Sequence, residues 1–441
     1  MIAALILFAV TYVLMLSLPK YRPWVALCSA GCFLALGQSG LYAMSPASAL
    51  AAVDWNVLLM MAGTMGTVSL FIESKMPARL AEQLLLRVPD VRWAVCMLAL
   101  FAGFVSAFVD NVATVLMIAP VGLAIARRLA ISPVPVLVAI AVSSNLQGAA
   151  TLVGDTTSIL LGSFAEMNFF DFFWMHGRPG IFWGVELGAL VSLVVLLWLF
   201  RSYRQPVHAA VETQVEDDVP TALMLLTVGL LILASFLPQP GNGVLHVLWE
   251  LRSGLICMAL CLFGTFRACL RARSAQPAAQ VFRSLDFDTL LLLFGLFIVI
   301  EGVRTAGVID AAAELFHTIA GEDPLRLFVL LVVVSVALSA FIDNIPYVAA
   351  MLPVVQGVAA RMNGGAGAPP EVFFFGLLIG ATLGGNLTPI GASANIAAIG
   401  ILRKEGETVR TADFVRIGVP FTLSAVVTGA LYLWLVWGAT V

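Results

Sequence analysis

The sequence predicts an all-α polytopic membrane protein made of two inverted-topology repeats, each with a re-entrant helical hairpin and a broken transmembrane helix. Three observations carry this reading. The 441 residues are 61% hydrophobic and only 11% charged, with a mean hydropathy of +1.01, whereas a soluble domain has about twice that charged fraction. Apolar runs long enough to cross a bilayer recur from end to end. The two halves also repeat in order. "DWNVLLMMAG" at 54–63 matches "DFDTLLLLFG" at 286–295, "SAFVDN" at 106–111 matches "SAFIDN" at 339–344, and "GAATLVGDTTSI" at 148–159 matches "GNLTPIGASANI" at 385–396. Offsets of 232, 233 and 237 residues mark an internal duplication.

Ordinary spans are expected near 2–19, 24–41, 55–73, 181–200, 221–238, 245–266, 286–303 and 417–437. The first has its charges, Lys20 and Arg22, behind it and no basic stretch ahead. That is a span with a stop, not a cleaved signal peptide. The run 93–126 holds Asp110 and Asn111 at its middle, and its arms, 93–109 and 112–126, are short for crossings. Lys75, Arg79, Arg87 and Arg92 precede it, and Arg127 and Arg128 follow it. Lys and Arg favour the cytoplasm, so the run enters the membrane and returns. The run 133–166 is too long for one straight span, and its middle is rich in Gly, Ser, Thr and Asp, which predicts a span broken near 148–154. The second half predicts a hairpin at 325–360 and a broken span at 371–402.

Threading gives ten crossings plus two hairpins. With the N-terminus outside, 18 of the 23 Lys and Arg fall on the cytoplasmic side. The plan is a first membrane repeat at 1–204, a polar cytoplasmic linker at 205–219 that includes His208 and Glu212, and a second repeat at 220–441. The hairpins then dip from opposite faces and their tips meet near mid-membrane. Such a layout describes a secondary transporter of the cytoplasmic membrane.

Irregular backbone survives in hydrocarbon only where it lines a cavity or is buried in protein. The predicted substrate- and ion-binding residues therefore cluster at the tips and breaks: Asp110, Asn111, Thr114, Asn145, Gly148, Thr151, Gly154, Asp155 and Thr156, then Asp343, Asn344, Asn386, Thr388, Gly391, Ser393 and Asn395. Glycine permits the turns, and short oxygen side chains suit sodium. Asp110, Asp343 and Asp155 are the candidate sodium ligands, because a carboxylate at that depth is costly and able to trade a proton for a cation. Asp110 also reads as a cap of its second arm, and Asp155 reads equally as a cap of the half-helix that follows. Glu301 reads as a partner of Arg304, and Glu186 has no evident partner. No His lies in a span, and no Lys or Arg is expected at the centre, so an anionic substrate would rely on helix ends, amides, hydroxyls and co-bound cations.

The six cysteines read as apolar helix residues. The i,i+4 pairs Cys28/Cys32 and Cys257/Cys261 occupy corresponding places in the halves and leave a thiol site for arsenite open. There is no phosphate-binding loop, zinc spacing or nucleophile elbow. The chain is therefore expected not to be an enzyme and to need no cofactor beyond Na+ or H+ as coupling ion. Its expected partners are a small ion and membrane lipid, with no nucleic acid.

The motifs at 106–111, 148–155, 339–346 and 384–395 resemble those of the ion transporter superfamily with a citrate transporter-like domain. It includes arsenite efflux permeases, NhaD-type sodium/proton antiporters and divalent-anion/sodium symporters, and the paired motifs are similar to the melanosomal P protein branch. The resemblance implies secondary transport and a homodimer. Two departures stand out. Gly154-Asp155-Thr156-Thr157-Ser158 stands where family members often read Gly-Asp/Thr-Pro-Pro-Asn, and the tips carry Asp-Asn where the dicarboxylate symporters resemble Ser-Asn-Thr. A fixed negative charge repels a dicarboxylate, which favours sodium/proton antiport over an anion symporter. An arsenite or antimonite efflux permease is the third alternative.

Overall fold

The computed structural model describes residues 1–128, 131–207, 213–241, 243–321, 323–362 and 371–440. In the first half, α1 (Ile2–Ser17) and α2 (Arg22–Gln38) meet at a 116° bend. They are followed by α3 (Pro46–Ala51), α4 (Trp55–Glu73) and α5 (Met76–Leu85). The first hairpin is α6 (Val91–Ser106) and α7 (Asn111–Arg128), and the first broken span is α8 (Pro133–Gln147) and α9 (Thr156–Phe164). A small antiparallel hairpin, β1 (Trp174–Met175) with β2 (Arg178–Pro179), leads into α10 (Ile181–Leu199). The second half runs through α11 (Val219–Ser235), α12 (Val244–Glu250), α13 (Arg252–Ala272), α14 (Gln276–Ser284), α15 (Phe287–Thr305) and α16 (Val308–Ala320). Its hairpin is α17 (Pro324–Ser339) and α18 (Asn344–Met362), its broken span is α19 (Glu371–Gly384) and α20 (Ser393–Lys404), and α21 (Thr411–Trp437) closes the chain. This is the all-helical, multi-pass architecture that the hydropathy predicts.

Glycines set the frame. Gly63 and Gly66 of α4 lie on Cys257 and Cys261 of α13, and Gly254 lies on Asn56 and Leu59. Gly295 and Gly302 of α15 lie on Ala26 and Phe33 of α2. Each half thus lays its third span along the second span of the other half, a reciprocal contact that expresses the repeat in three dimensions. The buried Cys257 and Cys261 serve this packing.

Several boundaries differ from expectation. Only α4, α7, α10, α13 and α21 are long and apolar enough to cross singly among the described residues. α7, at 18 residues, passes that length test, so shortness does not define the hairpin arm. What does is the reversal at 107–110, which sets α6 and α7 side by side against α8. The span expected at 245–266 is two helices, α12 and a longer α13, parted where Glu250 and Arg252 interrupt the apolar run. The last helix starts at Thr411, ahead of 417, and carries Pro420 inside it. The sequence reading places no element at α3, α5, α14 or α16. These are short or of mixed polarity and escape a search for spans, yet α5 and α16, like α3 and α14, fall at repeat-related positions.

Residues 208–212, with His208 and Glu212, lie outside the described residues. The neighbouring chain is tied to helix ends: Thr213 to Glu82 (2.9 and 2.8 Å), Glu216 to Lys75 (2.6 Å), and Asp217 to Arg267 (2.5 Å) and Arg271 (2.9 Å).

A Cβ on Gly63 would sit 2.4 Å from the Cys257 carbonyl carbon, while one on Gly229 meets nothing within 4 Å. Gly63→Leu is expected to cost about 1–3 kcal/mol or more by forcing α4 from α13. Gly229→Ala should be neutral or mildly stabilising. Thermal unfolding in detergent checks both, and equal midpoints would refute the close contact.

Candidate functional site

The two broken spans are built alike. Thr151 Oγ donates to the carbonyl of Ala107 at the first hairpin tip, and Thr388 Oγ donates to that of Ala340 at the second. Ser158 Oγ donates to the Gly148 carbonyl (2.8 Å), and Asn395 Nδ2 donates to the Gly385 carbonyl (3.1 Å). A Cβ on Gly154 would fall 3.0 Å from the Ala107 oxygen, and one on Gly391 2.8 Å from the Ala340 oxygen. Side-chain hydroxyls and amides thus take up the carbonyls that the unwound backbone releases, as a hydrocarbon surround requires.

The breaks are also joined to each other. Asn145 Nδ2 donates to the Thr382 carbonyl (2.7 Å) and to Asn386 Oδ1 (3.1 Å), and Asn386 Nδ2 donates to the Val142 carbonyl (2.8 Å). Asn111 Nδ2 donates to Asn145 Oδ1 (3.0 Å) and ties the first tip to this crossing. Asn344 Oδ1 accepts the Ser339 hydroxyl (2.5 Å) within the second hairpin.

The acids at the tips act as caps. Asp110 Oδ1 accepts the N–H groups of Val112 (3.0 Å) and Ala113 (3.1 Å) and starts α7. Asp155 accepts the Thr156 N–H (2.8 Å) and the Thr157 hydroxyl (2.9 Å) and starts α9. Asp343 Oδ1 accepts the Ile345 N–H at 3.4 Å, while its Oδ2 meets Arg22 Nη1 at 2.5 Å. The expectation that no Lys or Arg reaches the centre is therefore wrong. Arg22 ends an apolar run in sequence, but the α1–α2 bend turns it inward onto the second tip.

Capping leaves these carboxylates facing a cavity of about 470 Å³. Of the predicted residues, Asp110, Asn111, Asp155, Thr156, Asp343, Asn344 and Ser393 line it. Thr114, Asn145, Gly148, Thr151, Gly154, Asn386, Thr388, Gly391 and Asn395 stand behind its wall, most of them in the bonds just described. Thr114 is fully buried and its hydroxyl has no partner. Glu73 and Asp286 also line the cavity, and sequence reasoning missed both as site residues. The signal was present for Asp286, which opens one of the repeated motifs. Five carboxylates and no Lys, Arg or His line the space. Among the described residues no three acidic, His or Cys groups converge on one metal-sized point.

The cavity runs from the tips to Glu73, Ser284 and Asp286. Lys75, Arg79 and Arg283 share that end of the molecule, which the positive-inside rule makes cytoplasmic. A smaller cleft of about 270 Å³ lies at repeat-related positions on the opposite side, lined by Ala52, Asp54, Ser163, Glu301 and Leu352 among others. It stops short of both tips. There the Asp54 carboxylate accepts the Ser163 hydroxyl, and Glu301 pairs with Arg304 at 2.9 Å. Glu186 and Gln147 line a separate groove. None of the six cysteines lines the central cavity. Cys28 and Cys32 are exposed on α2.

Hairpin tips and broken helices around a shared acidic cavity define a secondary transporter. The chain belongs to the citrate transporter family, whose model matches residues 12–380 and 277–440. An uncharacterized transporter of Mycobacterium tuberculosis is 32% identical over 98% of each chain. The human P protein is 27% identical over 86% of this chain and 53% of its own length. The fold is similar to that of the Alcanivorax borkumensis YdaH transporter, with TM-score 0.59, 15% identity and coverage of 95% and 98%. It is likewise similar to Neisseria gonorrhoeae MtrF, with TM-score 0.57, 14% identity and coverage of 88% and 83%. The protein is thus a multi-pass membrane transporter and not an enzyme.

Asn145 is fully buried and bonds three partners. Asn145→Leu leaves the Asn111 amide and the Asn386 and Thr382 oxygens unpaired, at a cost of about 1–3 kcal/mol each. A clearly lowered unfolding midpoint is expected by differential scanning fluorimetry. An unchanged midpoint would show that the crossing of α8 and α19 does not rest on this amide.

Proposed function

We propose that this transporter exchanges a small monovalent cation for protons, with sodium/proton antiport as the specific reaction. One observation carries the reading: five carboxylates and no basic side chain line the cavity, and Arg22 neutralises one of the five, Asp343. A low-dielectric cleft lined by one sign of charge concentrates ions of the other sign and repels its own. Asp110 and Asp155 are the groups best placed to alternate between a proton and a cation, because each is already held in position by donors of the helix it caps, two N–H groups for Asp110 and an N–H and a hydroxyl for Asp155.

A second reading has its own support. The family carries the description of a citrate transporter, and the starts of α9 and α20, at Thr156 and Ser393, border the cavity. A helix start favours an anion. With five carboxylates around it, a polycarboxylate enters only together with cations that neutralise the site.

The test is full-length protein in liposomes with a pH dye in the lumen. Sodium added outside is expected to release lumenal protons, and choline is not. Asp110→Asn and Asp343→Asn should each reduce the signal to that of empty liposomes while the protein still inserts. Exchange at the normal rate by either variant removes that carboxylate from the mechanism. A response to citrate that sodium alone does not give selects the second reading.

A further inference from the structure

Asp343 is the one tip carboxylate that already holds a cation, and the cation belongs to the protein. Arg22 is the first residue of α2, and its side chain is 20% exposed. Its Nε donates to the Met15 carbonyl (3.3 Å), which aims Nη1 at Asp343 Oδ2, 2.5 Å away. Tyr12 of α1 donates to the Pro346 carbonyl and holds the same tip. The repeat-related tip is bare: Asp110 accepts only two N–H groups of its own helix.

The repeat supplies the missing partner. Gly295 meets Ala26 where Gly63 meets Cys257, so α2 and α13 correspond with an offset of 231 residues. Arg252, the first residue of α13, falls within one residue of the place of Arg22. Its guanidinium now stacks 3.7 Å over Trp249, Nη1 donates to the Trp249 carbonyl (2.8 Å), and Asp171 lies close enough to feel its charge. It stands at the end of the bundle away from the open cavity, beside the end that is closed.

We propose that Arg22 is the built-in counter-ion of Asp343 in the cytoplasm-open state, and that Arg252 takes the same part toward Asp110 when the cavity opens outward. This rests on the cation-exchange reading above. A bare carboxylate at this depth is costly, and a guanidinium relieves that cost when no substrate cation is bound. An arriving cation must displace the arginine, so the pair lowers apparent affinity on the side where it forms, in proportion to the fraction of tips left free. It also fastens an unloaded tip to α2 and so opposes reorientation of the carrier without a cation. Arg22 is in this sense a positioning residue and not a ligand of the substrate.

Two measurements on the full-length protein decide the matter. The first needs no transport: a double-mutant cycle of Arg22→Gln and Asp343→Asn on the thermal unfolding midpoint in detergent. The double variant is expected to be no less stable than the weaker single variant, and Arg22→Lys should stay near wild type. Additive losses overturn the pair, whatever the substrate is. The second is sided transport in liposomes with the lumenal pH dye. Arg22→Gln is expected to lower the half-saturating sodium concentration on the cytoplasmic face about tenfold and leave the outer face unchanged, and Arg252→Gln should do the reverse. If the wild type exchanges and Arg22→Gln alters only the maximal rate, or both faces equally, the counter-ion role is wrong. If the wild type moves no protons with sodium, the cation-exchange reading fails, and the thermal cycle alone then judges the pair.

Discussion

Hydrocarbon offers no partner to an open N–H or C=O, and the whole centre of this protein follows from that constraint. To bring polar groups to mid-membrane the chain must unwind, and each unwound turn must be repaired from within. Thr151 and Thr388 repair it by bonding the carbonyls of Ala107 and Ala340, which fixes each break to the tip of its own hairpin. The Asn145–Asn386 crossing then locks the two repaired units together. With both breaks and both tips held, the ends of four helices surround one space. Remove the repairs and the breaks become expensive defects; keep them and they become a polar site walled by apolar helices.

The same economy explains the repeated Asp-Asn. A carboxylate at a hairpin tip caps the returning helix through one oxygen, and the other is left for the cavity at Asp110 and for Arg22 at Asp343. Capping and ion binding are therefore two uses of one side chain. The asparagine beside it works differently in the two halves: Asn111 ties its tip to Asn145 of the broken span, and Asn344 takes the Ser339 hydroxyl within its own hairpin.

Much of this was legible in the sequence, because hydropathy and duplication are long-range signals carried by many residues. The spans, the two breaks and the acidic tips stand out in 441 letters once the halves are aligned. What escaped depends on how helices sit against each other. Arg22 reads as an interfacial charge because its direction is set by the bend behind Leu18, which leaves no mark on composition. Glu73 and Asp286 read as span ends because only the packing of α4 and α15 turns them toward one space. Nine of the predicted residues proved to hold the wall and not to line it. Spacing alone does not separate a polar side chain that faces a cavity from one that mends the backbone behind it. The interfacial helices α5 and α16 were invisible for a simpler reason, since they neither cross the membrane nor carry a motif.

Duplicated architecture does not make the two orientations of the carrier equal in energy. At the outer cleft Ser163 bonds Asp54. At the related inner position the residue aligned with Ser163 is Gly400, and Asp286 accepts the Thr289 hydroxyl of its own helix instead (2.6 Å). One hydrogen bond of about 1 kcal/mol shifts a two-state balance roughly fivefold. The outer carboxylate is bonded across to the first broken span while its inner counterpart is bonded within its own helix, so a bond between helices must break for the outer cleft to widen that has no equivalent at the inner one.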